Sequence, residues 1–450
     1  MTTNIRENIL EILMEINEEG EYSHIAIRRG LEKLLYLPKQ ERAFLTRVCE
    51  GTTEYRLQID YIIDQFSSVK VEKMKPVIRN ILRSAVYQMR WMDSVPDSAV
   101  CNEAVKLAQK KGFYNLKGFV NGVLRNIMRN KEQLKFPGED RPVDALSVRY
   151  SMPRWLVERW IGQYGRKTTE IMLADFMKER PTTVRCRQYM TSREVAVKSM
   201  EEQGVKVEQA PYLDYAYYIS CYDYLPSLES FFLGRIQPQD VSSMLVGEIA
   251  APKEGSYCID LCAAPGGKSL HLADKLKGTG RVEARDLTEY KVDLIRENIE
   301  RSGLENIYAR RKDALVFDPA DKDAADLVLA DVPCSGYGVI GHKTDIKYKM
   351  TPAKEADLVL LQRRILHNAA QCVQPGGTLI YSTCTINPRE NEENVCWFLE
   401  YYPFEAESLN PYLPEELRGG TAEEGWLQLL PGIHKCDGFF IARLVRKKDE

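Results

Sequence analysis

The sequence predicts a multidomain chain: an all-α bundle, then a small α+β domain, then an α/β domain built on a parallel sheet. Three observations favour this fold class. The chain has 450 residues, enough for about three domains of ~150 residues each. Its first 130 or so residues carry helical periodicity only. From residue 234 onward, strand-like and helical segments alternate regularly, which is typical of parallel sheets.

The predicted helical domain spans residues 1–135. Ile9, Leu13 and Ile16 recur at helical spacing, and Asn4 with Glu7 has the spacing of a capping box. Further amphipathic segments follow at 25–36, 41–66, 76–92, 97–111 and 116–128. The polar segment 135–142, rich in residues that break helices, marks the boundary of this domain.

Residues 143–233 combine helical and strand-like patterns, which predicts a small α+β domain. Helical patterns occupy 153–164, 167–178 and 192–203, and strand-like runs occupy 182–187, 205–209 and 215–221.

Residues 234–450 form the third predicted domain. Its strands are predicted at 257–261, 281–285, 306–310, 326–330 and 377–382. Thr351-Pro352 places a capping hydroxyl and an N-terminal proline at the start of one intervening helix.

Composition limits the classes of protein to consider. No apolar run approaches the ~18 residues of a membrane span, and the acidic first segment does not resemble a signal peptide. Eleven cysteines and five histidines, scattered and without ligand spacing, predict reduced thiols and no metal site. We therefore expect a cytoplasmic protein without a membrane or a metal as partner. Residues 70–135 hold fourteen Lys/Arg against five Asp/Glu, which is either a solvated helical face or a surface for nucleic acid.

Ligands of doubly wound sheets bind at the carboxyl ends of the strands. The first predicted strand there runs into a turn containing Gly266 and Gly267, where a backbone can approach a ligand closely. Asp286 ends the next strand, about 20 residues on, where an acidic side chain can hold ribose hydroxyls. Asp313 follows the third strand and is either a helix cap or a further ligand. The dinucleotide pattern G-x-G-x-x-G is absent, which disfavours NAD.

Asp331, Cys334 and Cys384 follow two further strands. A nucleoside-like cofactor beside a cysteine nucleophile fits this set of residues. Each cysteine taken alone could equally be a small buried apolar residue.

The motifs "DLCAAPGGK", "DVPCSGYG" and "YSTCT", in this order, resemble the cytosine-5 RNA methyltransferases that use S-adenosylmethionine. In the helical domain, "ERAFLTRVCEGT", "ILRSAVYQMRWMDSVPDSAVCNEAV" and "GFVNGVLRNI" resemble the NusB-type RNA-binding domain. "RYSMPRWLVERW" and "QPQDVSSMLV" resemble the linker of the RsmB (Sun/Fmu) 16S ribosomal RNA methyltransferases. Together these stretches cover nearly the whole chain.

The resemblance implies a NusB-like bundle, an α+β linker or RNA-recognition-like domain and a Rossmann-like methyltransferase domain. It implies methyl transfer from S-adenosylmethionine to carbon 5 of one cytosine in 16S ribosomal RNA, with another RNA such as tRNA as the alternative. The expected partner is that RNA or a small-subunit assembly intermediate, bound by a monomer. The residues expected to contact the cofactor are Cys262, Ala263, Ala264, Pro265, Gly266, Gly267, Lys268, Asp286, Asp313 and Asp331.

The resemblance also assigns the catalytic roles. It makes Cys384 the nucleophile that adds to carbon 6 and Cys334 the cysteine that assists release. Asp331 would interact with ring nitrogen 3 as charge develops there. The chain departs from the family at Gly341–Thr344, where two arginines and a proline are missing, so the way this loop holds RNA is open. Thr385 replaces the usual serine after the nucleophile and keeps the hydroxyl.

Three other classes fit less well. DNA cytosine methyltransferases attack through the Pro-Cys thiol alone, whereas this chain has a second thiol at Cys384 and a fused helical domain. A small-molecule methyltransferase would need neither. An antitermination-type RNA-binding protein with a decayed catalytic half would not retain the glycine turn, the aspartates and both cysteines.

Overall fold

The computed structural model describes residues 4–189 and 191–448. The helices are α1 (Ile5–Asn17), α2 (Ser23–Glu32), α3 (Lys39–Glu54), α4 (Arg56–Phe66), α5 (Pro76–Trp91), α6 (Asp97–Lys110), α7 (Lys117–Arg129), α8 (Pro142–Arg149), α9 (Arg154–Phe176), α10 (Arg193–Glu202), α11 (Glu229–Phe232), α12 (Val241–Ala250), α13 (Gly267–Lys275), α14 (Glu289–Ser302), α15 (Ile346–Lys349), α16 (Pro352–Cys372) and α17 (Glu392–Tyr401). The strands are β1 (Thr182–Cys186), β2 (Lys206–Gln209), β3 (Ala216–Ser220), β4 (Ile236–Pro238), β5 (Tyr257–Asp260), β6 (Arg281–Asp286), β7 (Ile307–Arg311), β8 (Ala325–Asp331), β9 (Val373–Thr383), β10 (Phe404–Ala406), β11 (Trp426–Leu429) and β12 (Phe439–Arg446).

The chain divides into two compact units. The helical unit contains the described residues up to Met177 and the later segment Ile340–Lys349. The catalytic unit contains Lys178–Val339 and the chain from Met350 onward. A segment that lies in the sequence between two parts of the catalytic unit therefore packs with the helical unit.

The helical unit is held together by an apolar core that draws on α1 to α7. Asn4 caps α1 by accepting a hydrogen bond from the backbone N–H of Arg6 at 3.1 Å, as predicted. Glu7 does not complete a capping box, because its carboxylate pairs with Lys110 at 2.6 Å and Lys111 at 3.0 Å. The helix start is therefore confirmed, while the acidic side chain ties α1 to the end of α6.

One predicted helix differs in detail from the observed ones, and one predicted break between helices is confirmed. The segment 41–66, expected as one helical stretch, breaks at Tyr55 between α3 and α4, where ψ changes to 14°. The segments 153–164 and 167–178 are the two halves of α9, which is broken at Gly165 with φ 77° and ψ 160°. A positive φ of this size is costly for residues other than glycine, so this position fixes the break.

The small sheet of the catalytic unit has the strand order β2-β3-β1-β4, with all neighbours antiparallel. Its first three strands and α10 match the predicted α+β pattern. The fourth strand, β4, was not predicted and lies after residue 233, in the segment predicted as the start of the third domain. Arg185 and Arg187 point from this sheet region onto the buried carboxylate of Asp274 in α13, each at 3.3 Å.

The large sheet has the order β10-β12-β9-β8-β5-β6-β7, with β11 paired to β12. Strands β5 to β9 pair with one another in parallel, and all five coincide with predicted strands. The predicted parallel strands are therefore confirmed. The sequence analysis did not predict the antiparallel part of the sheet, in which β12 runs antiparallel to β9, and β10 and β11 pair antiparallel with β12. Buried apolar residues pack on both faces of this sheet, as expected for central parallel strands.

Two further details bear on the predictions. Thr351 caps α16 by accepting a hydrogen bond from Lys354 N at 3.3 Å, with Pro352 in the first helical turn, as predicted. Among the described residues, no helix combines the length and apolar character needed to cross a bilayer.

Candidate active site

The predicted site residues lie at or near the carboxyl ends of the parallel strands of the large sheet. Because β5, β6 and β8 are parallel neighbours, their last residues, Asp260, Asp286 and Asp331, share that edge. Strand β9 ends at Thr383 on the same side, directly before Cys384. Side chains from separate strands are therefore delivered to the region where ligands of such sheets bind.

The glycine turn between β5 and α13 is held tightly against the next strand. Ala263 donates its backbone N–H to the carbonyl of Arg285 at 2.8 Å. Gly266 has a φ of 106°, and a Cβ there would lie 3.4 Å from Ile295 Cγ2. Helix α13 then begins at Gly267, so its first backbone N–H groups face the end of the sheet and can bind a polar ligand.

Asp260 fixes the start of this turn. Its carboxylate is buried and accepts hydrogen bonds from Cys262 N at 3.3 Å and from Ser269 Oγ at 2.6 Å. Burial raises the pKa of Asp260 to about 7. Burial also raises the pKa of the Cys262 thiol, which keeps that cysteine protonated and unsuited to nucleophilic attack.

Asp286 is a nearly buried carboxylate at the end of β6. It is only 4% exposed, and it accepts hydrogen bonds from Ala264 N at 3.0 Å and Leu287 N at 2.8 Å. Lys291 Nζ lies 3.0 Å from Oδ1, the oxygen that also accepts from Leu287 N. A carboxylate offers about four acceptor positions, so one position remains for a ligand hydroxyl. The turn, this carboxylate and the N-terminus of α13 together fit a nucleoside cofactor.

Asp313 follows β7 and serves partly as a cap. One of its oxygens accepts a hydrogen bond from Leu315 N at 2.9 Å. The same residue lines a cavity with Leu261, Phe317 and Asn368. Both alternatives proposed from the sequence, a cap and a ligand-binding residue, remain compatible with this position.

Asp331 and Lys268 form an ion pair beside the two cysteines. Lys268 Nζ lies 2.7 Å from Asp331 Oδ2, and Ser382 Oγ donates to Asp331 Oδ1 at 2.8 Å. Burial acts to lower the pKa of Lys268, but the negative charges of Asp331 and Cys384 outweigh it and hold that pKa above its ordinary value. The ammonium also lies 5.2 Å from the ring centroid of Phe439, so it is a fixed positive charge at the site.

The two predicted thiols are in contact. Cys334 Sγ lies 3.3 Å from Cys384 Sγ, and both residues are partly accessible. The hydrogen bond to the Cys384 sulfur, followed by burial, raises the pKa of Cys334 well above its ordinary value. The two thiols therefore share a hydrogen bond in which either sulfur can be the donor.

Comparisons with known proteins identify the family of this chain. Residues 248–445 match the family described as 16S rRNA methyltransferase RsmB/F, residues 3–129 match the NusB family, and residues 152–220 match the RsmF/B-like ferredoxin-like domain. A probable ribosomal RNA small subunit methyltransferase B from Bacillus subtilis is 36% identical over 99% of both chains. Its counterpart from Synechocystis is 33% identical over 97% of this chain and 98% of its own. The chain belongs to the ribosomal RNA small subunit methyltransferase B family.

Solved structures resemble the whole fold of this methyltransferase B family member. The protein PH0851 has a TM-score of 0.82 at 27% identity and covers 99% of both chains. A methyltransferase homologue from Pyrococcus horikoshii has a TM-score of 0.59 at 26% identity and covers 69% of this chain and all of its own. The predicted family, the three-part fold class and the cofactor S-adenosylmethionine are thereby confirmed.

Two groups of this methyltransferase's site were missed by the sequence analysis. Ser382 orients Asp331, but a serine in an apolar strand carries no signal of that role. Glu390 and Asn391 are fully buried beneath the cysteine loops, although the run "NPRENEEN" reads as an exposed helix start. The only available hint was that so polar a run follows directly on the strand of Cys384.

The basic stretch 70–135 of this methyltransferase lies on α5 to α7 and the adjoining turns of the helical unit. Many of its cations are paired with carboxylates of the same unit, namely Lys70, Arg79, Arg83, Lys106, Lys110, Lys111 and Lys131. Others are exposed, namely Lys73, Lys75, Arg90, Lys117, Arg125, Arg129 and Lys135. The local excess of positive charge is therefore smaller than the count suggests but leaves a set of exposed cations.

The loop that departs from the family pattern continues into residues that pack within the helical unit. Asp345 accepts hydrogen bonds from Ser23 N at 3.0 Å and Ser23 Oγ at 2.6 Å. Lys347 Nζ donates to the carbonyl of Glu54 at 2.9 Å, and Arg56 stacks 3.8 Å above the Tyr348 ring. His342 and Lys343 remain exposed. Among the residues that the structure describes, no cluster of three or more potential metal ligands occurs.

Proposed function

We propose that this chain transfers the methyl group of S-adenosylmethionine to carbon 5 of a cytosine in small-subunit ribosomal RNA, through a covalent bond between Cys384 and the base. The observation that carries this proposal is the contact of two thiols, 3.3 Å apart, beside the Lys268–Asp331 pair. A methyltransferase that acts on a nucleophilic oxygen or nitrogen needs no thiol, whereas carbon 5 of cytosine becomes nucleophilic only after a thiolate adds to carbon 6.

The surroundings of the two thiols support the assignment of roles. The negative charge of Cys384 contributes to the raised pKa of Lys268, so the ammonium and a Cys384 thiolate stabilise each other. Cys334 retains its proton because its pKa is raised. Cys384 is therefore the nucleophile in this proposal, and Cys334 is the thiol that assists later.

The reaction follows from these positions. The Cys384 thiolate adds to carbon 6, and the electron pair is drawn toward ring nitrogen 3, where Asp331 and its partner Lys268 stabilise the change in charge. S-adenosylmethionine, when bound, supplies the methyl group that carbon 5 then takes. The carbon-5 proton then passes to water, and its bonding electrons re-form the double bond between carbons 5 and 6. The bond from carbon 6 to sulfur breaks, and Cys334 assists this release by donating its proton to the departing Cys384 sulfur. The target base must be unpaired or flipped out, since its atoms are unreachable in a stacked helix.

The cofactor contacts in this proposal are the residues from Cys262 to Lys268 together with Asp286, Asp313 and Asp331. We further propose the functional division 1–135, 143–233 and 234–450. In it the first domain binds RNA, the second links the two others and the third carries the chemistry. The protein would act in the cytoplasm as a monomer, without a metal. The exposed cations of the first domain support its part, because contacts to phosphates release counterions and make affinity fall with salt.

Two variants test the division between the thiols. Cys384→Ala should abolish methylation and form no adduct, because nothing adds to carbon 6. Cys334→Ala should allow addition and methyl transfer but slow release, leaving protein joined to RNA on a denaturing gel with labelled RNA. A retarded band with Cys384→Ala and none with Cys334→Ala would reverse the roles.

The substrate is tested separately by mapping 5-methylcytosine in the RNA of cells with and without the gene. Loss of one position in 16S ribosomal RNA is expected. Loss in tRNA instead would replace the proposed substrate by the alternative, and loss in neither would refute cytosine-5 methylation.

A further inference from the structure

A buried carboxylate lies behind both cysteine loops. Glu390 is 0% exposed and belongs to the short turn Pro388–Glu390 that precedes α17. It accepts hydrogen bonds from Ser335 N at 2.8 Å, from Ser335 Oγ, from Gln362 Nε2 at 2.9 Å and from Asn387 Nδ2 at 2.8 Å. Four donors saturate the acceptor positions of a carboxylate. The side chain of Glu390 is therefore fully hydrogen-bonded within the protein and has no acceptor position left for a ligand.

These hydrogen bonds connect the segments that carry the two thiols. Ser335 follows Cys334 directly, and its hydroxyl lies 2.7 Å from Thr385 Oγ1. Thr385 in turn follows Cys384 directly. One carboxylate thus holds the Cys334 loop by a backbone and a side-chain contact. It reaches the segment after Cys384 through the Ser335 hydroxyl and through Asn387, whose backbone N–H donates to Thr385 Oγ1 at 3.3 Å.

The position of Glu390 also gives it an electrostatic effect on one thiol. The pKa of Cys334 is raised first by its hydrogen bond to Cys384, then by burial, and further by the negative charges of Cys384 and Glu390. Tyr381 packs against the same place, donates to the carbonyl of Glu390, and is itself kept protonated by burial. The ammonium of Lys268, by contrast, interacts with the sulfur of Cys384.

We propose that Glu390 is a positioning residue that holds the two thiols at their working distance and prevents Cys334 from acting as the nucleophile. This inference rests on the proposed function, because it concerns the same two thiols. The carboxylate touches neither base nor cofactor and acts through Ser335, Thr385 and its charge.

The test uses Glu390→Gln in the full-length chain and measures thiol reactivity without RNA or cofactor. Iodoacetamide alkylation of Cys334, followed by mass spectrometry over a range of pH, reports its thiolate fraction. Loss of the negative charge should raise the rate at neutral pH roughly tenfold, equivalent to about one pH unit in the midpoint. A structural role alone would not move this profile.

Glu283→Gln is the matched control. Glu283 is also a buried carboxylate of the catalytic unit, 2% exposed, and it accepts hydrogen bonds from Arg285 at 2.9 Å and Tyr257 at 2.7 Å. This variant should lose stability in the same way but leave the alkylation of Cys334 unchanged. An identical Cys334 profile in Glu390→Gln, Glu283→Gln and the unmodified chain would overturn the electrostatic part of the proposal.

The Ser335→Ala variant tests the positioning effect of Glu390 separately from the effect of its charge. It also provides a second test if the Glu390→Gln variant does not fold. It removes the hydroxyl link to Thr385 while the carboxylate stays. Diamide, which takes two electrons and two protons from a pair of adjacent thiols to form a disulfide, reports the distance between Cys334 and Cys384. Cross-linking should become severalfold slower in Ser335→Ala, with the alkylation profile kept. Unchanged cross-linking would overturn the positioning part.

A final arm distinguishes this inference from the proposed function. The Glu390→Gln variant should accumulate the covalent RNA adduct. The double variant Glu390→Gln/Cys334→Ala should accumulate no more adduct than Cys334→Ala alone, because both changes act on the release of the RNA from Cys384. If no adduct forms with any variant, the covalent mechanism fails, while the alkylation and cross-linking results still decide the role of Glu390.

Discussion

Replacing Lys268 by methionine is expected to separate the stability of the catalytic unit from its chemistry. Lys268→Met keeps most of the side chain's length and apolar stem but removes the ammonium. That ammonium lies 2.7 Å from Asp331 and contributes a positive charge near Cys384. The change therefore leaves Asp331 with Ser382 as its remaining side-chain donor among the described residues and leaves a Cys384 thiolate without its cation.

The magnitudes follow from the exposure of the pair. The side chains of Lys268 and Asp331 are 16% and 25% exposed, between the surface pairs that contribute ~0–1 kcal/mol and the buried pairs whose breaking costs ~3–5 kcal/mol. We expect a loss of about 1–3 kcal/mol in the free energy of unfolding. Loss of a preorganised group that stabilises developing charge should lower the rate of methyl transfer by roughly 10²–10³.

The same helix provides a matched control. Lys275 pairs with Glu248 at 2.8 Å, and these side chains are 20% and 22% exposed. Lys275→Met should therefore cost similar stability in chemical denaturation but keep full activity. Single-turnover transfer of a labelled methyl group, at saturating S-adenosylmethionine, measures the chemical step. Equal losses of rate in the two variants would refute the reasoning, and Lys268→Arg should recover part of the rate because it keeps the charge.

Three further predictions use other parts of the molecule. Asp286→Ala should weaken S-adenosylmethionine binding by roughly 1–3 kcal/mol in calorimetry, and an unchanged affinity would remove Asp286 from the site. Gly338→Ala should lower the free energy of unfolding by ~1–3 kcal/mol or more, because the added Cβ would lie 1.8 Å from the carbonyl oxygen of Gly438. Gly122→Ala, with no atom within 4 Å, should raise stability by up to ~1 kcal/mol, and the opposite order would contradict the packing argument. Burial lowers the pKa of Lys347 to about 7, below the ~10.4 of an unfolded lysine. The unfolded chain then binds more protons between these values, so the free energy of unfolding should rise with pH across them, and Lys347→Met should flatten that rise.

The sequence predicted the part of the fold that depends on local pattern. The five parallel strands were predicted because each is a short apolar run between helices, and such runs keep their identity regardless of their partners. The antiparallel strands β10 to β12 were missed for the opposite reason. Phe404–Ala406 and Trp426–Leu429 are short, and they become strands only by pairing with β12, which is itself placed by β9. Such long-range pairing leaves little trace in local composition.

The site was predictable to the extent that motifs identify strand ends. Asp286, Asp331 and Cys384 lie where the alternation of strands and helices had predicted. The hydrogen-bond partners of these residues were not predictable, because a buried Glu390 and an exposed glutamate look alike in one sequence. The burial of Lys347 was not predictable for the same reason. This lysine is only 1% exposed, although it follows a loop that was expected to contact RNA. Burial of a polar side chain depends on donors supplied from distant segments.

The two thiols illustrate why the surroundings, and not the cysteines, decide the chemistry. Both sit at the ends of adjacent parallel strands, and a contact of 3.3 Å is symmetric, so geometry alone gives neither sulfur priority. The charges around them are not symmetric. Lys268 faces Cys384, whereas the carboxylate of Glu390 acts on Cys334. A cation favours the thiolate beside it and an anion favours the thiol, so in the proposed mechanism we expect Cys334 to hold the proton. Exchanging these charges, rather than the cysteines, is what would exchange the two roles.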